Sequence, residues 1–122
     1  MRPDQGDHAY LWDMLDAARA VRQFVTGRSF EEYLRDRMLR GAVERHVEII
    51  GEAARHVSAG FRAAHPDIPW NQIIAQQNIL AHEYGDVDQA LVWKVATDSV
   101  PPLIGKLERL MPLPPPEPKP ET

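Results

Sequence analysis

Apolar residues recur at intervals of three and four along most of the chain, which is the spacing of one face of an α-helix. The first run predicts a helix over about residues 8–26, with Asp7 as its N-cap and Gly27 at its end. Its buried stripe is predicted to be Leu11, Met14, Leu15, Ala18, Val21 and Val25.

A longer run further along predicts the central helix. Ser29 and Glu32 have the spacing of a capping box, which indicates a short helical turn before it. Asp36 then caps a helix that extends to about Val57. Its apolar face is predicted to be Leu39, Val43, Val47, Ile50, Ala54 and Val57.

Two more helices are predicted in the second half of the chain. The segment HPDIP at residues 65–69 breaks the chain, and a helix follows from Trp70 to about Tyr84, closed by Gly85. Asp88 caps a last helix to about residue 110, which the prolines at 101 and 102 are expected to kink.

These lengths and short connections predict an all-α fold, an antiparallel bundle of four to five helices over residues 1–111. The tail at residues 112–122, PLPPPEPKPET, contains six of the eleven prolines. We expect it to be disordered or to adopt polyproline II conformation.

Composition and charge narrow the possible functions. With 18 acidic against 14 basic residues the net charge is −4, so any RNA contact must be local or shared between chains. Absence of cysteine excludes disulfides, cysteine-ligated zinc and thiol catalysis. No run reaches the roughly 18 apolar residues of a membrane span, and the first residues contain no signal-peptide core, which predicts a cytoplasmic protein without a membrane segment.

The candidate chemistry lies in QQNILAHEYG at residues 76–85. Gln77, Asn78, His82 and Tyr84 crowd four hydrogen-bonding side chains around the predicted end of a helix. Unpaired carbonyls there favour protonated imidazole, which can bind a phosphate or act as a general acid. The alternative is that His82 and Tyr84 cap the helix and pack in the core.

A metal site is not predicted, and neither is a cofactor. Glu48, Glu52 and His56 lie four apart on one helix, whereas di-metal bundles place Glu and His three apart on paired helices. The two glutamates are better interpreted as partners for Arg45 and Arg55.

Four segments resemble, in order, the HepT-like (DUF86) family of HEPN-domain proteins over about residues 8–108. They are RAVRQFV, RHVEIIGEAARHVS, AHPDIPWNQIIAQQNILAHEYGDVD and VWKVATDSVPPL. The resemblance implies a small helical bundle that forms a homodimer. It also implies a metal-independent ribonuclease toxin that is paired with a minimal nucleotidyltransferase antitoxin.

The family motif is Arg, four residues, His, one residue, Tyr, which falls on Gln77, His82 and Tyr84. The resemblance implies that His82 transfers protons while an RNA 2′-hydroxyl attacks the neighbouring phosphate. Gln77 replaces the arginine that holds negative charge on phosphorus, and Asn78 matches the polar residue that follows it. Tyr84 matches the tyrosine to which the antitoxin transfers AMP.

Dimerisation would bring two such helix ends into one cleft, where Arg45, Arg55 or Arg62 are candidates for the missing positive charge. Two functions stay open. One is a toxin-type endoribonuclease that is weakened or re-equipped around Gln77. The other is a catalytically degenerate HEPN module that docks a nucleotidyltransferase or binds a nucleotide.

Overall fold

The computed structural model describes residues 5–76 and 87–111. Its helices are α1 (Gln5–Val25), α2 (Phe30–Arg35), α3 (Arg37–His56), α4 (Ala59–Ala64), α5 (Trp70–Ala75), α6 (Gln89–Lys94) and α7 (Val100–Leu110). A π-helical segment, Val95–Ser99, joins α6 to α7. Within these two ranges there is no strand, so the predicted all-α bundle is confirmed.

The centre of the bundle is the packing of α1 against α3, with α7 also on α1 and α5 on α3. The predicted stripe of α1 is buried, with each residue at most 8% exposed. The predicted stripe of α3 is buried to the same degree. Periodicity located the core because an amphipathic helix must turn its apolar face inward.

Local capping chemistry explains where the early helices begin and end. Ser29 and Glu32 form the predicted capping box at 3.0 and 3.1 Å, and Asp36 accepts from the Leu39 amide at 3.0 Å to open α3. Gly27 has φ of +76°, a left-handed conformation that suits glycine beyond the end of α1.

The predicted role of Asp7 as an N-cap is wrong. Helix α1 already includes Gln5, and the buried Asp7 carboxylate lies inside its first turn. It accepts from the amide and the hydroxyl of Ser58, both at 2.7 Å. Ser58 in turn caps α4, a helix the periodicity did not predict, through the Phe61 amide. Asp7 therefore ties the start of the chain to the α3–α4 junction.

The final helix differs from a simple proline kink. Asp88 caps it as predicted, but the backbone widens to a π-helix over Val95–Ser99, just before Pro101. Proline has no N–H, so a carbonyl one turn earlier loses its usual donor, and the wider turn accommodates that loss. Across the described residues no helix is long and apolar enough to cross a membrane.

Candidate functional site

All four predicted site residues, Gln77, Asn78, His82 and Tyr84, lie outside the described residues, as does the predicted end of their helix at Gly85. The structure instead defines the two elements between which this segment runs. Helix α5 leads into it, and α6 follows it.

Two apolar anchors seat α5 on the bundle. Trp70 is 6% exposed and Ile73 is 4% exposed, three residues apart on the same face. The Trp70 indole N–H donates to the carbonyl of His65 at 2.9 Å, so its only polar atom is satisfied. At the other end, the Gln76 amide donates to the carbonyls of Gln72 and Ile73 at 3.1 and 3.2 Å. The backbone is therefore helical up to the residue before Gln77.

The start of α6 is held by a chain of three side chains. The hydroxyl of Tyr33, from α2, donates to Gln89 Oε1 at 2.5 Å. Gln89 Nε2 donates onward to Glu44 Oε2, on α3, at 3.2 Å. The Tyr33 side chain is fully buried. This chain positions the first turn of α6 three residues after the undescribed segment.

Burial raises the pKa of the Tyr33 phenol well above its ordinary value of 10.0. The Glu44 carboxylate raises that pKa further, whereas the Arg40 guanidinium opposes the shift. Tyr33 is thus a neutral hydrogen-bond donor throughout the physiological range.

A groove runs between α5 and the helical stretch 89–110. It consists of two adjoining clefts, of about 290 and 140 Å³, that share Gln72, Gln76 and Ser99. We call this the α5 groove. Its larger cleft is also lined by Ala75, Leu91, Lys94 and Val95, and its smaller one by Ile50, Pro69, Ile73, Val100, Pro102, Leu103 and Lys106.

The π-helical segment contributes directly to this groove, since Val95 and Ser99 line it. Gln76, which lines both clefts, is the residue that precedes Gln77 in the chain. The described part of the groove therefore includes the sequence neighbour of the family motif.

A family model, Ribonuclease HepT-like, matches residues 14–110, which include both walls of the groove and the whole motif segment. The chain belongs to the ribonuclease HepT-like family.

Curated relatives of this HepT-like chain agree with that assignment. "Putative RNase MJ1380" of Methanocaldococcus jannaschii is 37% identical over 100 residues, covering 82% of this chain and 92% of the relative. "Probable ribonuclease HepT" of Thermococcus cleftensis is 37% identical over 101 residues, covering 83% and 92%. No solved structure is significantly similar to this chain.

The arginines considered for the missing charge of this HepT-like chain have other surroundings. Arg45 forms an ion pair with Glu48 at 2.8 Å, which agrees with the predicted pairing of that glutamate. Arg62 lines a neighbouring cleft beside the start of α5, which shares Pro69 and Gln72 with the α5 groove. Arg55 is exposed near the end of α3.

Sequence reasoning missed the two lysines of the α5 groove. Lys94 and Lys106 lie 12 residues apart on the helix after the motif, and no local pattern marks either one. Only the tertiary fold, which sets α5 beside that helix, brings them to one groove. Within the described ranges, no three His, Asp or Glu side chains are placed to hold a metal ion.

Proposed function

We propose that this HepT-like chain is a metal-independent endoribonuclease. The observation that carries the proposal is the family match, which spans the segment containing His82, together with relatives named as ribonucleases. RNA supplies its own nucleophile, the 2′-hydroxyl, so the protein needs only proton transfer and a contact to the phosphate.

In the proposed reaction the 2′-oxygen attacks the adjacent phosphorus and the bond to the 5′-oxygen breaks. A base accepts the 2′-hydroxyl proton, and the departing 5′-oxygen gains a proton. The products are a 2′,3′-cyclic phosphate and a 5′-hydroxyl. His82 is the residue assigned to proton transfer, and Asn78 is assigned a hydrogen bond to the phosphate.

Gln77 makes this a weak ribonuclease. It can donate a hydrogen bond to phosphate oxygen but carries no charge, unlike the family arginine. Losing a transition-state anion donor costs about 10²–10³ in rate, and replacing a charged donor with a neutral one approaches that loss. The same substitution is the observation that favours a second candidate function, a degenerate module that docks a nucleotidyltransferase or binds a nucleotide.

We also propose that the chain is the toxin of a pair with a minimal nucleotidyltransferase antitoxin. The Tyr84 phenol oxygen would attack the α-phosphorus of ATP, pyrophosphate would leave, and the phenol proton would be lost. The added phosphate would place negative charge beside His82 in sequence and repel RNA. Tyr33 is buried and its hydroxyl is hydrogen-bonded to Gln89, so it is inaccessible to a modifying enzyme. This supports Tyr84 as the tyrosine that accepts AMP.

Tyr10 is the third tyrosine and is half-buried. Its ring stacks on His56 with centroids 5.1 Å apart and planes at 21°. Of the three, Tyr84 is the proposed acceptor. Mass spectrometry after incubation with the partner nucleotidyltransferase, ATP and Mg²⁺ should find AMP on the Tyr84 peptide and none in Tyr84→Phe; AMP on Tyr10 would contradict this assignment.

The active form is proposed to be a homodimer whose interface lies near the end of the helix containing His82. A two-fold axis there would place His82 and Asn78 of both copies in one cleft. Light scattering at micromolar concentration should give twice the mass of one chain. A strict monomer would contradict the shared cleft.

Expression of the chain alone distinguishes the two candidate functions. Growth arrest that is lost in His82→Ala supports the ribonuclease. Absence of arrest, with a folded protein that still binds its nucleotidyltransferase, supports the binding module.

A further inference from the structure

We infer that the α5 groove is the path of the RNA backbone, with Lys94 and Lys106 as its phosphate contacts. This inference rests on the proposed function, since it names where that reaction's substrate lies. It uses only described residues, and neither lysine belongs to the motif.

The positions of the lysines along the helix fit a single strand. Twelve residues at the α-helical rise of about 1.5 Å would separate them by about 18 Å, and the π-helical stretch Val95–Ser99 shortens this slightly. At about 3.4 Å per stacked nucleotide, that distance spans about five nucleotides. OB-fold proteins bind roughly 4–16 nucleotides of a single strand per domain, so a path of about five nucleotides is long enough for single-strand binding.

The side chains between the lysines have the chemistry that phosphate and ribose require. Gln72, Gln76 and Ser99 line both clefts and offer amide and hydroxyl donors. The buried side chains of Val95, Val100 and Leu103 supply an apolar floor. A polar edge over an apolar floor can accept a sugar–phosphate backbone without a base-specific contact.

Lys106 is already oriented toward this role. Its Nζ donates to the Asp67 carbonyl at 2.8 Å, which fixes the side chain and leaves two of its three ammonium donors for a ligand. Lys94 is exposed at the other end, in the cleft that Gln76 also lines. Lys94 therefore shares a cleft with the residue that precedes the family motif in the chain.

Acidic residues of the same helix do not cancel this charge. Glu108 forms an ion pair with Arg19 of α1 at 2.8 Å, and so is turned toward α1. Asp98 is exposed, accepts from Thr97 at 3.4 Å, and is not among the groove's lining residues. A local positive groove reconciles RNA binding with a net charge of −4.

The test measures RNA affinity against salt in the His82→Ala background, which prevents cleavage during binding. The probe is a fluorescein-labelled oligouridylate of about 12 nucleotides, followed by polarisation. Lys94→Gln and Lys106→Gln should each reduce the slope of log K against log salt by about 0.7. If wild type and variant bind equally at 1 M salt, this smaller slope means about fivefold weaker binding at 0.1 M salt.

Arg28→Gln is the matched control, since Arg28 is exposed in the α1–α2 turn and its loss changes net charge equally. Lys94→Arg should retain the salt slope because it retains the phosphate contact. If Arg28→Gln and Lys94→Gln lowered the salt slope equally, the groove assignment would be wrong, because the effect would come from the net charge of the protein. The groove assignment would also be wrong if a labelled RNA duplex bound as tightly as the single strand and Lys94→Gln weakened both to the same extent.

Cleavage separates this inference from the proposed function. If wild-type protein cleaves RNA in a His82-dependent manner while both lysine variants bind normally, the ribonuclease stands and the groove assignment is wrong. If RNA is neither cleaved nor bound, the proposed function itself fails, and the groove with it.

Discussion

Substituting Tyr33 by phenylalanine tests how the bundle positions the helix after the motif. The change removes one hydroxyl and keeps the ring, which packs against Trp93 with centroids 5.1 Å apart. The substitution is therefore not expected to create a cavity that lowers the free energy of unfolding. What is lost is the 2.5 Å hydrogen bond to Gln89 and the connection through it to Glu44.

The magnitude follows from that bond. A net contribution of about 1 kcal/mol, plus part of the cost of leaving the half-buried Gln89 oxygen without its donor, gives about 1–2 kcal/mol. For a chain of this size each kcal/mol lowers Tm by roughly 3–5 °C. Tyr33→Phe should therefore lower Tm by about 3–10 °C in a circular-dichroism melt at pH 7.

The pKa of Tyr33 adds a pH signature. Its folded pKa is raised above 10.0, so the folded state binds the phenolic proton more tightly than the unfolded state does. Stability from this group is complete below pH 10 and is lost as pH rises toward the folded pKa. Wild type should therefore lose more stability above pH 10 than Tyr33→Phe does.

Tyr10→Phe is the control, because Tyr10 is half-buried and its hydroxyl makes no hydrogen bond within the described residues. We expect a change below about 0.5 kcal/mol. If Tyr33→Phe and Tyr10→Phe have equal Tm values, the Tyr33–Gln89–Glu44 chain does not stabilise the fold and the reasoning is refuted.

Three further changes have defined outcomes. Asp7→Ala should cost about 3 kcal/mol in urea unfolding, because it leaves the amide and hydroxyl of Ser58 without their carboxylate; a loss below 1 kcal/mol would contradict that role. Burial, and secondarily the Asp16 carboxylate, raises the pKa of Asp13. Because Asp13 is still largely exposed to solvent, Asp13→Asn should stabilise the fold only slightly at pH 7 and not at all near pH 3, and equal effects at both pH values would refute this. Gln77→Arg should raise RNA cleavage at least tenfold, and no change in a folded variant would mean that a missing arginine does not limit the rate.

Features set by residues close together in sequence were predictable, and those set by distant residues were not. The capping box at Ser29 and the Asp36 cap depend on side chains three residues from their targets, so the sequence contains all the needed information. Asp7 has the same chemistry, but its partner Ser58 is 51 residues away. Local reasoning therefore assigned it to the wrong amide.

The same distinction between local and distant residues applies to the candidate site. The identities of His82 and Tyr84 come from a short motif, and the family match confirms the resemblance on which that motif rests. The α5 groove depends on how the fold sets α5 beside the last helix, and its lysines carry no local signal. The roles of the motif residues stay predictions, because those residues lie outside the described ranges.

The proposed ribonuclease activity is tested by RNA cleavage in the absence of divalent metal. Purified wild type and His82→Ala are incubated with end-labelled single-stranded RNA in EDTA, and the products are resolved by gel and treated to distinguish cyclic from linear phosphates. We expect cleavage by wild type that leaves 2′,3′-cyclic phosphate ends, and none by His82→Ala. Cleavage of equal extent by both proteins, or cleavage abolished by EDTA and restored by a divalent metal, would contradict it.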